Sequence, residues 1–585
     1  MAELEGVRPA ASQQESYREL TVAAVVLGVV IGAVMTAAFI YIALKLGFSM
    51  PGSTVAAILG FAILRGLMRR ESIIENNINQ TVASGVNNAS AGIAFTLPAL
   101  FILSTSNPEL ASFNPVSVIL AAIAGSFLGI VVIIPLRKQM IEFDRLRFPS
   151  GTAVASLLRS PGAGVRQAKL LGGGLLVASL LHIPAYYGFI PDQLKIGDWL
   201  GLPHYLPISL GISFASIGAG LLAGRGGLPF VFGGMLAWWV LSPLSVNLGW
   251  VPDAATLGIS AGETWETWAT AVLYSQMLRP LGIGILIGGA LAGVVASLPA
   301  LKAAIQGLAQ AAATPGAMQE MSPRTLYLGI AGSVVVLFLA AVFADPDMSY
   351  WRAALTAIVG CIWLALAGLV VAQATGMTDI SPISGMSLIG VTIMFFLSGG
   401  NVVTSIILGV AVSIGIGQCA DMMSDLKAGH LIGARPRMQQ IAQFSVAWIG
   451  VPVAVGVLYL IWNGPGFGPD NPDLSAPQGA ALAAVMDGLQ AGNTPVDKYL
   501  AGIGIGLAMG IYPISGMAVL VGLAMYLPFY ITLTYGLGCF ISMALERARG
   551  GPWMATTVVP LAAGFIIGEA LVNLTLTLIT LGTGT

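Results

Sequence analysis

Charge is what this chain has least of. Only 9% of its 585 residues are Asp, Glu, Lys or Arg, against about 25% in soluble proteins, whose surface must be wetted. A large water-facing surface is therefore excluded. Cysteine and histidine are scarce too: Cys361, Cys419 and Cys539 lie dispersed among apolar residues, and His182, His204 and His430 stand far apart. Neither set has metal-ligand spacing, so the cysteines read as buried small hydrophobes. There is no Gly-x-x-x-x-Gly-Lys-Ser/Thr phosphate loop, no His-Glu-x-x-His and no convincing Gly-x-Ser-x-Gly. ATP-driven pumping, a zinc protease and a serine hydrolase lose their machinery with these motifs. No cofactor or metal is implied, and a formal net charge of −1 offers nothing to nucleic acid.

What fills the chain instead is apolar length. Hydrophobic residues make up 56%, there are 74 glycines, and runs such as Leu20–Leu44 and Leu281–Leu301 carry no charge until their ends. About 20 apolar residues cross a bilayer as helix, and small residues let such helices approach closely. The fold class is therefore an all-α polytopic membrane protein. We count about sixteen helices of that kind, with 385–399 short and 498–526 interrupted at Pro513. The expected plan is a polar cytosolic tail over 1–19, a first transmembrane half over 20–301, a cytosolic loop over 302–324 and a second half over 325–585, with pseudo-symmetry between the halves. Met1–Glu19 is polar, and the run that follows is too long for a cleaved signal.

Basic residues collect in alternate loops. Arg65, Arg69 and Arg70 form one group; Arg137, Lys138, Arg145 and Arg147 a second; Lys427, Arg435 and Arg437 another. The intervening loops hold Asp192 and Asp198, Asp345 and Asp347, or Asp470 and Asp473. The positive-inside rule then puts the N-terminus in the cytosol and the chain in the plasma (inner) membrane; the side of the C-terminus depends on how 498–526 is divided. Phe148–Ser160 is too short to span and reads as a re-entrant or interfacial helix, and Ala476–Leu489 as a helix suited to the external face.

Polar groups inside apolar spans are costly and ask for a reason. Glu569 lies near the middle of the last run and is a candidate proton carrier, with Lys45 as a partner or as a cation snorkelling to the interface. Asn76, Asn77, Gln80, Ser84 and Asn87 enter a span otherwise built of small and apolar residues, and Asn76, Gln80, Ser84 and Asn87 fall on one helical stripe. Amides donate and accept, so the stripe suits a solute cavity or serves as interhelical glue. Asp421 and Asp425 share a helix face and could exchange protons or brace loops. Pro382-Ile-Ser-Gly-Met recurs as Pro513-Ile-Ser-Gly-Met, and paired helix breaks point to a transporter's binding site. Pro382, Ser384, Gly385, Ser515 and Gly516, with the flanking Tyr512 and Tyr526, are the candidate contacts there.

Four stretches together resemble the oligopeptide transporter family, in the branch that includes yellow-stripe-like carriers of metal chelates. They are Asn77-Ile-Asn-Gln-Thr-Val-Ala-Ser84, Arg147-Phe-Pro-Ser-Gly-Thr-Ala-Val-Ala155, Asp425-Leu-Lys-Ala-Gly-His-Leu-Ile-Gly-Ala434 with Pro436-Arg-Met-Gln-Gln440, and Gly568-Glu-Ala-Leu571. The resemblance implies about sixteen helices and proton-driven uptake of small peptides or peptide-like metal chelates. Ser156 stands where relatives often carry Glu, so no role of that carboxylate transfers. The resulting expectation is a secondary active importer of small peptides or peptide-like solutes, proton-coupled, working by alternating access. Carriage of metal–chelate complexes, a passive channel and a membrane enzyme are the alternatives. Substrate identity and oligomeric state stay open.

Overall fold

The computed structural model describes residues 19–583, apart from 49–51, 71, 160–162, 192, 203–205, 249, 251–272, 275–276, 313–319, 379–380, 470, 472, 492–495, 511–516 and 526. Its described residues are helical nearly throughout, with one two-residue strand pair, Gln193–Leu194 with Leu210–Gly211. Among the described residues ten helices are long and apolar enough to cross a membrane, and Pro436–Val446 with Gly450–Asn463, bent by 43°, counts as an eleventh if the pair is one span. The sixteen apolar segments read from the sequence do not all emerge as full crossings. Several are half-length, such as Gly52–Gly66 and Ile383–Leu397.

In chain order the helices of eight residues or more begin with α1 (Val22–Leu46), α2 (Gly52–Phe61), α3 (Ile73–Asn87), α4 (Ala89–Thr96), α5 (Pro98–Ser106) and α6 (Pro115–Ile133). Next come α7 (Pro149–Arg159), α8 (Ala163–Tyr186), α9 (Phe214–Ala223), α10 (Leu228–Met235), α11 (Arg279–Ala312) and α12 (Pro323–Ala344). Then follow α13 (Tyr350–Thr378), α14 (Ile383–Leu397), α15 (Val402–Ile432), α16 (Pro436–Val446) and α17 (Gly450–Asn463). The last are α18 (Pro477–Ala491), α19 (Val496–Gly510), α20 (Met517–Met525), α21 (Phe529–Arg549) and α22 (Val559–Thr583).

Local chemistry sets the ends of the long spans. Thr21 caps α1 by accepting from the Ala24 N–H, and Gly47 closes it at φ 76°, where a side chain would clash. Asn401 and Gly433 do the same for α15. On α1, Val22, Val26, Val30 and Val34 recur every fourth residue and are 80, 56, 56 and 39% exposed. Such a stripe has no place in water and marks the face turned to lipid. By contrast α15 is 94% buried over its apolar window, where α12 is 22% buried. α15 is thus the central column, and α12 lies at the periphery.

Close glycine contacts fix the directions of the helices. Asn79 Nδ2 donates to Ala24 O and Thr36 Oγ1 reaches Val86 O, so α1 and α3 run parallel. α2 lies between them in the opposite sense. Gly52 abuts Asn87 and Met35, and Gly60 abuts Asn79 and Asn76. α2 therefore starts at mid-membrane depth, beside the middle of α1, and descends to Arg65. α14 is a second half-helix: it begins with Ile383 against Gly417, the midpoint of α15. The doubtful stretch 498–526 forms neither one span nor two. Gly502, Gly506 and Gly510 climb α11 from Leu281 to Ala292, while Ala518 and Gly522 come back down it from Gly289 to Gly282. α19 and α20 make a re-entrant hairpin on α11.

Within the stretch 148–160, Pro149–Arg159 form the short helix α7, and Gly151 packs directly on Ser424 of α15. The stretch expected on the external face is helical as α18, but its first half is buried: Ala480–Ala483 are 2–3% exposed, and Gly479 packs on Pro98. Glu19 accepts from the Arg435 N–H and lies 3.5 Å from its guanidinium, tying the start of α1 to the arginine face. Burial pushes the Glu19 carboxyl up, and Arg435 pulls it back. α21 runs towards that face, where Glu546 meets Arg225 at 3.7 Å. α22 returns from it, since Thr557 lies beside Arg166 and Thr577 beside Gly464. Glu19 and Thr583 consequently lie on opposite faces.

Candidate functional site

Two polar regions interrupt the apolar interior, one above the other along α1. The upper one lines a cavity of about 290 Å³. Its walls come from the end of α1 (Tyr41, Lys45), the end of α8 (His182, Tyr186), the start of α9 (Ser213, Ser216), the loop after α17 (Asn471, Asp473), the start of α21 (Tyr530, Thr534) and Asn573 of α22. The exposed residues Gly188 and Pro465 stand at its rim. Specific small-molecule sites begin near this size, about 300 Å³.

Lys45 forms its floor, with Glu569 fully buried behind it. Lys45 Nζ lies 2.9 Å from Glu569 Oε1, with side-chain exposures of 7% and 0%. Glu569 also accepts from Ser213 Oγ at 2.9 Å and from the Ala215 N–H at 2.9 Å. Ser213 is the N-cap of α9, so the carboxylate sits at a helix N-terminus, where the backbone dipole favours negative charge. Of the two readings left open for Lys45, pairing with Glu569 and snorkelling to the interface, it is the pair that forms. Asn573, one turn after Glu569, donates to Tyr41 Oη at 2.9 Å and hydrogen-bonds His182. Asp473 accepts from Tyr530 Oη at 2.9 Å. Ser213, Ser216, Asp473 and Asn573 were not singled out from the sequence. Only Ser213 had a local signal, a serine just before an apolar run.

The lower region is the amide stripe. Asn76, Asn77, Gln80, Ser84 and Asn87 are 3, 0, 0, 2 and 4% exposed. They pack among α1, α2, α15 and α16, away from the cavity. Asn76 Nδ2 donates to Ala57 O, and Gln80 Nε2 to Thr81 Oγ1. Ser53, at the start of α2, reaches Asp425 Oδ1 at 2.8 Å and Ser84 Oγ at 3.2 Å. Gln439 Nε2 links Thr81 Oγ1 to the Asp425 backbone oxygen, both at 2.9 Å. Several buried atoms have no partner among the described residues: Asn76 Oδ1, Asn77 Nδ2, Asn79 Oδ1, Gln80 Oε1, Asp425 Oδ2 and Gln439 Oε1. Asp421, one turn before Asp425, is half-buried, and its charge acts on Asp425.

Of the Pro-Ile-Ser-Gly-Met pair, the first lies at a helix start and not in the cavity wall. Pro382 is the N-cap of α14 at mid-depth, Gly385 touches Ala290 of α11, and Ser384 borders a void of about 10 Å³ with Thr96 and Gln478. Room for about one water is all that void provides. Tyr512, Ser515, Gly516 and Tyr526 lie outside the described residues. The helices that flank them, α19 and α20, meet α11 at Gly289–Ala292, the same short stretch that Gly385 touches. Among the described residues, no group of three or more His, Cys, Asp or Glu side chains is gathered to hold a metal.

The family model described as OPT oligopeptide transporter protein matches residues 19–580. The chain belongs to the oligopeptide transporter family. It is an integral membrane transporter and not an enzyme. A Haemophilus influenzae protein named for oligopeptide transport is 27% identical over 92% of each chain. A metal-nicotianamine transporter of Arabidopsis thaliana is 23% identical over 79% of this chain and 76% of its own. The iron-phytosiderophore transporter yellow stripe 1 of Zea mays is 25% identical over 80% and 74%.

Proposed function

We propose that this protein is a proton-driven importer of small peptides or peptide-like metal chelates, working by alternating access in the plasma membrane with its N-terminus cytosolic. The observation that carries the reading is the stacking of the two polar regions. A cavity with polar walls opens at one face, and a packed amide cluster closes the way to the other. The interval between them along α1, from Thr36 beside the stripe to Lys45 at the floor, is nine residues, or about 13 Å of helix. A carrier needs one gate open and one shut, whereas a passive channel needs a continuous path. The names of the plant relatives support chelates as a second substrate class beside peptides. The sixteen-segment count and the two-half plan belong to this reading, with the half-helices α2 and α14 counted as broken segments.

For the coupling proton we assign Asp425. Glu569 has Lys45 as a counter-charge and three hydrogen bonds, so it has little to gain from a proton. Asp425 is 1% exposed and is hydrogen-bonded through Oδ1 to the neutral Ser53, with Oδ2 unpartnered among the described residues. A buried carboxylate without a cation is far costlier than a buried carboxylic acid. Parting of the amide cluster would wet this carboxyl and release its proton.

The test is uptake into liposomes by the purified protein, using labelled di- to pentapeptides and iron chelates, with and without an inward proton gradient. Gradient-dependent accumulation of either class is expected. Uptake that only equilibrates, whatever the gradient, would remove the coupled carrier in favour of a passive path.

A further inference from the structure

We infer that the cavity floor is a carboxylate-binding subsite, in which Lys45 Nζ and Ser216 Oγ take a free carboxylate of the solute while Asp473 faces its amino group. The inference rests on the cavity being the transporter's solute site. Lys45 lines the cavity, but its partner Glu569 is fully buried and stands behind it. An ammonium has three donors. One goes to Glu569, and the Tyr41 ring lies beside the ammonium with its centroid 5.7 Å away, so donor capacity remains for the cavity. Ser216 is the independent observation. It is 1% exposed, it borders the cavity, and its Oγ has no partner among the described residues. Its own N–H is bound by the cap oxygen of Ser213, which fixes this first turn of α9 at the cavity wall. Ser213 and Ser216 open the same turn of α9, and Ser213 touches the Glu569 carboxylate that holds Lys45. The two candidate donors are therefore neighbours in one wall.

The opposite wall carries the opposite sign. Asp473 is oriented by Tyr530, and its charge reaches both Lys45 and Tyr41. Asn471 is spent on its own loop, since its Oδ1 accepts from the Asp473 and Leu474 N–H groups and its Nδ2 donates to Pro465 and Gly466. Of the cavity's fully charged side chains, one cation and one anion thus remain to face a solute. That polarity fits a short zwitterion with free ends, and equally a chelate that presents free carboxylates.

The experiment measures binding to the purified full-length protein of trialanine, its C-terminal amide and its N-acetyl form, and of the ferric complex of diethylenetriaminepentaacetate, which leaves an acetate off the metal, against that of its monoamide. For the wild type, the amide should bind about tenfold more weakly than the acid, the worth of a hydrogen bond to a charged group. Ser216→Ala removes only a hydroxyl without a partner, so the protein should fold as before while the acid-to-amide ratio narrows about threefold or more. Lys45→Met combined with Glu569→Gln should abolish the ratio, and Asp473→Asn should abolish discrimination against the N-acetyl form alone. Equal binding of acid and amide by the wild type, or an unchanged ratio in Ser216→Ala, overturns the inference. If trialanine fails to bind but the chelate with the free acetate still outcompetes its monoamide, peptide import falls and the subsite stands. If neither acid binds, the subsite falls.

Discussion

Two of the buried carboxylates of this transporter, Glu569 and Asp425, sit in opposite chemical circumstances. Glu569 is held by a cation, a hydroxyl and a backbone N–H, and every interaction matches its negative charge. Asp425 is surrounded by serine and amide side chains, several with an atom left unpartnered among the described residues. A fully satisfied network fixes one arrangement, whereas a partly satisfied one loses little by exchanging its partners. The difference separates a structural strut from a moving part. The floor of the cavity keeps α1, α9 and α22 in register, and the amide cluster is where α2, α3, α15 and α16 can separate.

The sharpest way to break that comparison is to remove the cation. Lys45→Met leaves the Glu569 charge buried without its partner, which costs about 3–5 kcal/mol. Thermal unfolding in detergent should show a large drop, and the double variant Lys45→Met with Glu569→Gln should recover most of it. A single variant as stable as the wild type would mean that the pair is not a strut, and the contrast with Asp425 would vanish.

Much of this was legible in the residues, and the reasons for the rest are physical. The long spans α1, α6 and α15 announce themselves through uncharged length and through caps such as Asn401. Lys45 and Glu569 stood out because charge inside an apolar run is expensive, although they are 524 residues apart. Re-entry is harder to read. α19 and α20 have the composition of a crossing, and only their packing up and down α11 shows the turn. α18 read as a helix suited to the external face, yet the close contact of Gly479 with Pro98 draws it inward. Ser216, Asp473 and Asn573 are ordinary loop and helix residues in the sequence, and their meaning comes only from being brought together.

A smaller effect on the fold is expected within the amide cluster. Asn76→Leu with Gln80→Leu deletes one hydrogen bond made by Asn76 and two made by Gln80, together with one unpartnered oxygen from each. Gains and losses should offset to within about 1–2 kcal/mol, so folded yield and unfolding temperature should move little. Transport should nevertheless be lost, because leucine cannot re-pair with water or solute when the helices part. Retained uptake would reduce the cluster to interhelical glue and place the gate elsewhere.

The smallest structural change goes with the most specific functional one. Asp425→Asn keeps size and shape, and the Ser53 hydroxyl can still donate to the remaining carbonyl oxygen. The new amide group brings donors to a site where Gln80 Oε1 and Gln439 Oε1 lack partners among the described residues. Stability should change by less than about 1 kcal/mol. Proton-driven accumulation in liposomes should disappear, while exchange of labelled for unlabelled solute persists, since the asparagine imitates a carboxyl that never releases its proton. Glu569→Gln, assayed beside it, should lower stability through the uncompensated Lys45 but leave any surviving transport responsive to the gradient. The reverse pattern, with coupling lost in Glu569→Gln and kept in Asp425→Asn, would exchange the roles of the two carboxylates and make the cavity floor the moving part.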